Sequence, residues 1–234
     1  MKPEVVKKNL QQIEEGYNLI AKKFSETRKH FWRNLEFTKQ YVKEGDKILD
    51  FGCGNGRLLE LFAGRKIIYK GVDISQNLLE LAKKKYPENK KDFIRISSDE
   101  LSLPFSDKNF NSVYSVATFH HLPGKTYRKR VVRELYRVMK PEGWIIITVW
   151  NLWQKKYRRH LYKNWLKKLG GRSKMDWNDC RINFTDNTGK VFARYHHAFT
   201  KKELMGLFRE EGFNIIEIKT VGGNIVLVGQ KPKL

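Results

Sequence analysis

Apolar residues in the first stretch of the chain recur at helical spacing, with Val5, Leu10, Ile13, Tyr17, Ile20 and Phe24 roughly on one face of residues 4–24. A second helix is predicted over Phe31–Tyr41. The pattern then changes to short, strand-length apolar runs at Lys47–Phe51, Lys66–Val72, Asp92–Ile96, Ser112–Ala117 and Trp144–Trp150. Helical segments separate these runs. Leu58–Phe62 continues a glycine-rich loop into a helix, and Ser75–Lys85 starts at a serine whose hydroxyl can cap it. Arg128–Met139 stops at Pro141-Glu142-Gly143. Strands alternating with helices of this length predict a parallel sheet wound on both faces.

After Trp150 the alternation is lost. Residues 151–193 are basic, aromatic and loop-like, and read as an insertion. Regular structure resumes with a helix over Thr200–Glu211 and a stop at Gly212. Strands at Phe213–Lys219 and Asn224–Gln230, separated by Val221-Gly222-Gly223, predict a hairpin at the sheet edge. The expected fold is a single α/β domain over 1–234, doubly wound around a mostly parallel seven-stranded sheet. It divides into N-terminal helices (1–45), a ligand-binding core (46–150), the basic insertion (151–193) and a closing helix with two strands (194–234).

Composition narrows the class of protein. Hydrophobic residues at 40% and aromatics at 13% belong to a chain that folds around a core. No run approaches the ~20 apolar residues of a membrane span. Residues 1–17 hold no apolar block of signal-peptide type, so a cytoplasmic location without membrane insertion is expected. Cys53 lies in the glycine-rich loop and Cys180 stands alone. Neither offers a Cys/His spacing for zinc, and no metal site is expected. Forty-seven Lys and Arg against 25 Asp and Glu leave a formal charge of +22, a field that favours polyanions, chiefly nucleic acid or acidic membrane surfaces.

Asp50-Phe51-Gly52-Cys53-Gly54-Asn55-Gly56 follows a predicted strand and opens a helix, where glycines let the backbone turn sharply and approach a ligand closely. A dinucleotide loop spaced GxGxxG would need glycine where Arg57 stands, and Asp50 would repel its pyrophosphate. A zwitterionic amino-acid ligand instead offers an ammonium to Asp50. The second strand ends at Gly71-Val72-Asp73, where a carboxylate can accept from both ribose hydroxyls. After the third strand come Ser98-Asp99, able to accept from an adenine amino group, and an apolar turn at Leu103-Pro104-Phe105. Three acids at the carboxyl ends of successive strands stand where α/β sheets bind ligands.

The series ILDFGCGNG, GVDIS, SSDELSLPF, the HHL after the fourth strand and ELYRVMKPEGWIIITVW resembles the class I S-adenosylmethionine-dependent methyltransferases over about residues 47–150. The resemblance implies S-adenosylmethionine as cofactor. It assigns the cofactor to Tyr17, Asp50, Gly52, Cys53, Gly54, Gly56, Asp73, Ile74, Ser98, Asp99, Glu100 and Ala117. Outside that core, Gly16–Arg28 with Trp32, Ala117–Leu122, and Arg194-Tyr195-His196-His197-Ala198-Phe199 resemble segments of the tRNA wobble-uridine carboxymethyl methyltransferases. Those enzymes methylate the carboxylate of 5-carboxymethyluridine, the eukaryotic ones with a small zinc-containing partner protein. The chain departs from them in carrying Tyr127-Arg128 where paired arginines are frequent, and His196 where a second tyrosine is usual. The Pro-Trp segment that usually precedes the late motif is also missing from 151–193.

A carboxylate acceptor needs no general base, because its pKa lies near ~4. It needs a cationic clamp, for which Arg28, Arg128 and Arg194 are the candidates, with His121 and His196 lining the acceptor pocket. Lys155–Arg172 holds eight Lys or Arg (Lys155, Lys156, Arg158, Arg159, Lys163, Lys167, Lys168 and Arg172) and no acid, with apolar residues interleaved. As a basic amphipathic helix it is a candidate surface for the RNA phosphates of a tRNA, with a merely solvated face and an acidic membrane surface as the other readings. Two other readings share the fold: a methyltransferase of quinones or other small metabolites, and a catalytically idle RNA-binding subunit. The +22 charge weighs against the first and the intact glycine and aspartate set against the second.

Overall fold

The computed structural model describes residues 1–98 and 102–233. Helix α1 (Pro3–Thr27) begins on a proline at its first turn, where the missing N–H costs nothing. It buries Leu10, Ile13, Ile20 and Ala21. The second predicted helix is a 3-10 helix, Arg33–Tyr41. Strand β1 (Lys47–Phe51) leads through the glycine loop into another 3-10 helix, Arg57–Phe62. Then follow β2 (Ile68–Asp73), α2 (Gln76–Lys85) and β3 (Phe93–Arg95). Ser75 caps α2 as expected, its hydroxyl accepting from the Leu78 N–H at 3.3 Å. Next come β4 (Phe110–Val116), α3 (Lys125–Val138) and β5 (Met139–Trp150). Strand β5 starts five residues before the predicted Trp144. The Pro141-Glu142-Gly143 segment is absorbed as an irregularity where the β4–β5 register shifts, with Glu142 at φ 60°.

The insertion is more ordered than its composition suggested. It forms α4 (Lys155–Leu169) and a separate two-stranded antiparallel sheet, β6 (Asp179–Thr185) with β7 (Val191–His197). Strand β7 runs through residues 193 and 194, so the late Arg-Tyr-His-His motif is the end of this hairpin rather than the start of a new segment. Helix α5 (Lys201–Arg209) and the hairpin β8 (Asn214–Val221) and β9 (Asn224–Gln230) complete the chain. Gly222 and Gly223, at φ 52° and 82°, make the two-residue turn that pairs Val221 with Asn224.

The main sheet has seven strands in the order β3-β2-β1-β4-β5-β9-β8, with β1 to β5 parallel and β9 antiparallel to both its neighbours. Side chains alternate between two cores, as the period of a strand requires. Leu49, Ile145 and Ile147 pack with Val131, Leu135 and Leu207 on one face, and Ile48, Tyr114 and Ile146 with Leu58, Phe62 and Leu79 on the other. A third cluster, around Leu152, Leu161, Cys180 and Ile182, holds α4 against β6. No helix among the described residues is long and apolar enough to cross a membrane.

Candidate active site

A cleft opens at the carboxyl ends of β1, β2 and β4 and is roofed by α1. Its floor is the glycine loop. Gly52 sits at φ 77°, and a Cβ there would lie 2.2 Å from the Thr118 Oγ1, so only glycine fits. Gly54 donates its N–H to Asp73 Oδ2 at 2.8 Å, and Ser75 N–H donates to Oδ1 at 2.9 Å. These bonds aim the Asp73 carboxylate and leave each oxygen a lone pair for a ligand hydroxyl. Burial raises the Asp73 pKa, the N–H groups of Ser75 and Gly54 opposing it. Asp50 is 2% exposed and accepts from the Tyr69 hydroxyl at 2.9 Å. Burial lifts its pKa to about 7 against the opposing effects of Tyr69 and Arg57.

These carboxylates, held in a cleft whose floor admits close backbone approach, fit S-adenosylmethionine. Asp50 would take the ammonium and Asp73 the ribose hydroxyls. Cys53, Ile74, Ser98 and Ala117 also line the cleft. Gly56 does not; its φ of 74° turns the chain into the following 3-10 helix against the Phe93 ring. Asp99 and Glu100 lie outside the described residues.

The other half of the cleft is assembled from distant segments. Tyr17 on α1 donates its hydroxyl proton to His121 Nε2 at 2.7 Å, because His121 Nδ1 faces the Tyr195 carbonyl oxygen at 2.8 Å and must carry the ring proton. Burial raises the Tyr17 pKa, with the positive charge of nearby Arg194 opposing it. Burial, and then the charge of Arg194, hold the His121 pKa down to about 3, so the ring is a neutral acceptor at any working pH. Arg28 and Arg194 flank the Phe184 ring, their guanidinium carbons 5.7 and 5.0 Å from its centroid. Among the described residues neither arginine has a carboxylate within ion-pairing reach. Arg194 also lies 5.4 Å from the centroid of Trp150.

Two of the acceptor candidates are placed elsewhere. Arg128 is buried on the first turn of α3 but does not line the cleft. It donates to the Leu122 carbonyl at 3.1 Å, lies 3.7 Å from Glu203 and covers the Phe199 ring, which ties α3 to α5. His196 is fully buried behind the cleft wall, stacked on His120 with centroids 5.3 Å apart. Three imidazoles therefore converge, His120, His121 and His196. Their partners give them unlike roles. His120 Nδ1 accepts from Trp150 N–H, leaving Nε2–H as a donor, while His196 Nδ1 donates to the Arg194 carbonyl, leaving Nε2 as an acceptor. Next in the hairpin, His197 is held between Asp179 and Glu203, each at 2.7 Å.

Seven of the eight basic residues proposed for RNA are exposed, with Lys168 half-buried against the Met175 carbonyl. Among the described residues none of the eight has an ion pair. The interleaved apolar residues divide between two faces: Tyr157, Leu161 and Trp165 join the third core cluster, while Leu166 and Leu169 stay exposed at 71% and 74%. Tyr157 stacks on Trp150 at 6.0 Å, so the basic helix starts beside the cleft. Sequence reasoning passed over Arg57, which lines the cleft 8% exposed with its guanidinium carbon 4.2 Å from the Trp32 ring centroid. It was noticed only as the residue that breaks a dinucleotide motif. The only sequence signal was its place directly after the glycine loop.

Residues 49–147 match the methyltransferase domain family. A tRNA (carboxymethyluridine(34)-5-O)-methyltransferase of Arabidopsis thaliana is 34% identical over 63% of this chain, and the match spans 34% of that longer protein. Among solved structures, an S-adenosylmethionine-dependent methyltransferase of Methanosarcina mazei aligns with a TM-score of 0.70 at 23% identity, covering 88% of this chain and all of that one. A Haloferax volcanii complex between the Trm112 methyltransferase activator and a methyltransferase aligns at 0.68 and 17% identity, over 95% of this chain and 98% of that one.

Proposed function

We propose that this chain, a member of the S-adenosylmethionine-dependent methyltransferases, methylates the carboxylate of 5-carboxymethyluridine at the wobble position of tRNA. Arg28 and Arg194 carry this reading: two guanidiniums face one cleft across Phe184, with no carboxylate of the described chain to neutralise them. Unneutralised, partly buried guanidiniums favour an anionic guest, and their planar forks match a carboxylate bidentately. Tyr17, held by His121, lines the same part of the cleft as Arg194.

The sulfonium of the bound cofactor supplies an activated methyl group and leaves as a neutral thioether. The protein therefore has to orient the nucleophile and exclude water rather than move a proton. A carboxylate is already ionised at neutral pH, which agrees with a neutral His121 that serves as a hydrogen-bond acceptor. The exposed cations of α4, beginning beside the cleft, supply phosphate contacts for the tRNA. The similarity to tRNA carboxymethyluridine methyltransferases supports the acceptor, and the Haloferax complex supports a small activator protein as partner. A zinc-containing partner and a cytoplasmic setting belong to the same reading.

The test is single-turnover methylation with labelled cofactor, comparing tRNA that bears 5-carboxymethyluridine with unmodified tRNA, followed by mass spectrometry of the nucleosides. A methyl ester on the modified tRNA alone is the expected result. Equal labelling of both RNAs removes the carboxylate from the mechanism, and labelling of neither, with transfer to a small metabolite, favours the metabolite reading.

A further inference from the structure

Arg57 and Asp50 are both buried, 8% and 2% exposed, and both line the same end of the cleft, yet they form no ion pair with each other. Each feels the other's charge, Arg57 lowering the pKa of Asp50 and Asp50 raising that of Arg57. One Arg57 terminal nitrogen, Nη1, is closed off from solvent and has no hydrogen-bond partner among the described residues. A guanidinium that has left water without an anion or acceptor is costly, so its retention implies a ligand that compensates it. Trp32 stacks under the guanidinium and fixes its plane, which pre-organises the fork for a planar anion.

We infer that Arg57 is the receptor for the carboxylate of the S-adenosylmethionine amino-acid group, and that Asp50 and Arg57 together read it as a zwitterion. Two opposite buried charges held apart accept ammonium and carboxylate at once, and they leave a ligand lacking either group with an uncompensated partner. Arg57 therefore makes the cleft select the intact amino-acid moiety, whatever the methyl acceptor is. Arg28, a second cation of the cleft whose charge bears on Arg57, is assigned to the acceptor, so the two arginines divide donor and acceptor carboxylates between them.

The inference is tested by calorimetric titration of the whole chain with three probes: S-adenosylmethionine, its decarboxylated form, and 5′-methylthioadenosine, which lacks the amino-acid group. The wild type is expected to bind the decarboxylated probe about ten- to a hundredfold more weakly than S-adenosylmethionine, the range of one charge-assisted contact. Arg57→Met should weaken S-adenosylmethionine binding by that factor and hold it and the decarboxylated form nearly alike, while 5′-methylthioadenosine binds as before and reports an intact fold. Arg57→Lys should fall between. Arg28→Met should keep the discrimination, and so separates this inference from the proposed acceptor, whose failure would leave these titrations unchanged. Equal binding of S-adenosylmethionine and its decarboxylated form by the wild type overturns the inference without any variant. Discrimination that persists in Arg57→Met, or that vanishes in Arg28→Met instead, overturns it as well.

Discussion

The two halves of the cleft are built differently. The donor half comes from a short span of chain: Asp50, the glycine loop, Arg57 and Asp73 lie within 24 residues, positioned by backbone N–H groups and adjacent strands. The acceptor half draws Tyr17 from α1, Arg28 from the residue that ends it, His121 from the 3-10 turn after β4, and Arg194 from the inserted hairpin, with Tyr17 and His121 meeting across 104 residues of sequence. A locally built half is tuned for one ligand by backbone geometry. A half assembled by side chains from three segments can change its guest by changing those side chains or the hairpin that carries them.

The largest effect should come from the donor floor. Gly52→Val places a β-branched side chain at φ 77°, inside van der Waals contact of Thr118. Strain and overpacking together should cost ~2–5 kcal/mol of stability and remove measurable S-adenosylmethionine binding. Calorimetry showing near-native affinity would mean that the floor tolerates a side chain, and the contrast between the halves would fail.

The basic helix should affect RNA and leave the donor half alone. With Lys155, Lys156, Arg158 and Arg159 replaced together by Gln, the slope of log affinity for tRNA against log salt should flatten by roughly 0.7–0.9 for each phosphate no longer neutralised. S-adenosylmethionine binding should stay unchanged. A slope identical to wild type would return α4 to the role of a solvated surface.

The acceptor half is sharpened by conservative changes. Arg28→Lys and Arg194→Lys each keep the charge but lose the fork, and should slow single-turnover methyl transfer about ten- to a hundredfold with donor affinity intact. Wild-type rates in both variants would dispose of the clamp.

The smallest effect is a pH dependence confined to the donor half. The Asp50 pKa rises from 3.8 to about 7 on folding. Its contribution to the stability of the donor-free protein is therefore fully present below the unfolded value and is lost as pH rises through about 7. An ammonium ligand prefers the ionised carboxylate, so S-adenosylmethionine affinity should fall as pH drops below that value, by at most about tenfold per unit. Thermal unfolding with and without donor at about pH 6 and about pH 8 checks both signs. The donor-induced rise in melting temperature should be larger at the higher pH, and Asp50→Asn should abolish the difference.

Much of this was legible before any coordinates. The apolar run Lys47–Phe51 became β1 residue for residue, and Ser75 caps α2, because strand burial and capping act over a few neighbouring positions. The Val221-Gly222-Gly223 signal placed the terminal hairpin for the same reason. The hairpin β6–β7 escaped notice because its strands are bounded by polar residues and are only partly buried. Arg181 and Arg194 in their interiors serve contacts across the molecule rather than an alternating pattern. Arg128 was misplaced because a guanidinium at a helix start reads the same whether it faces a ligand or, as here, Leu122 and Glu203.

By itself, then, the sequence determined the winding of the sheet, the donor floor and the net charge, since each depends on residue type and short-range spacing. Only the tertiary structure decided which cations stand unneutralised in the cleft. A salt bridge or its absence depends on segments far apart in the chain. Arg28 and Arg194 meet across Phe184 through the packing of α1 on the hairpin. Arg57 lies over the Trp32 ring beside Asp50, and its Nη1 finds no partner among the described residues.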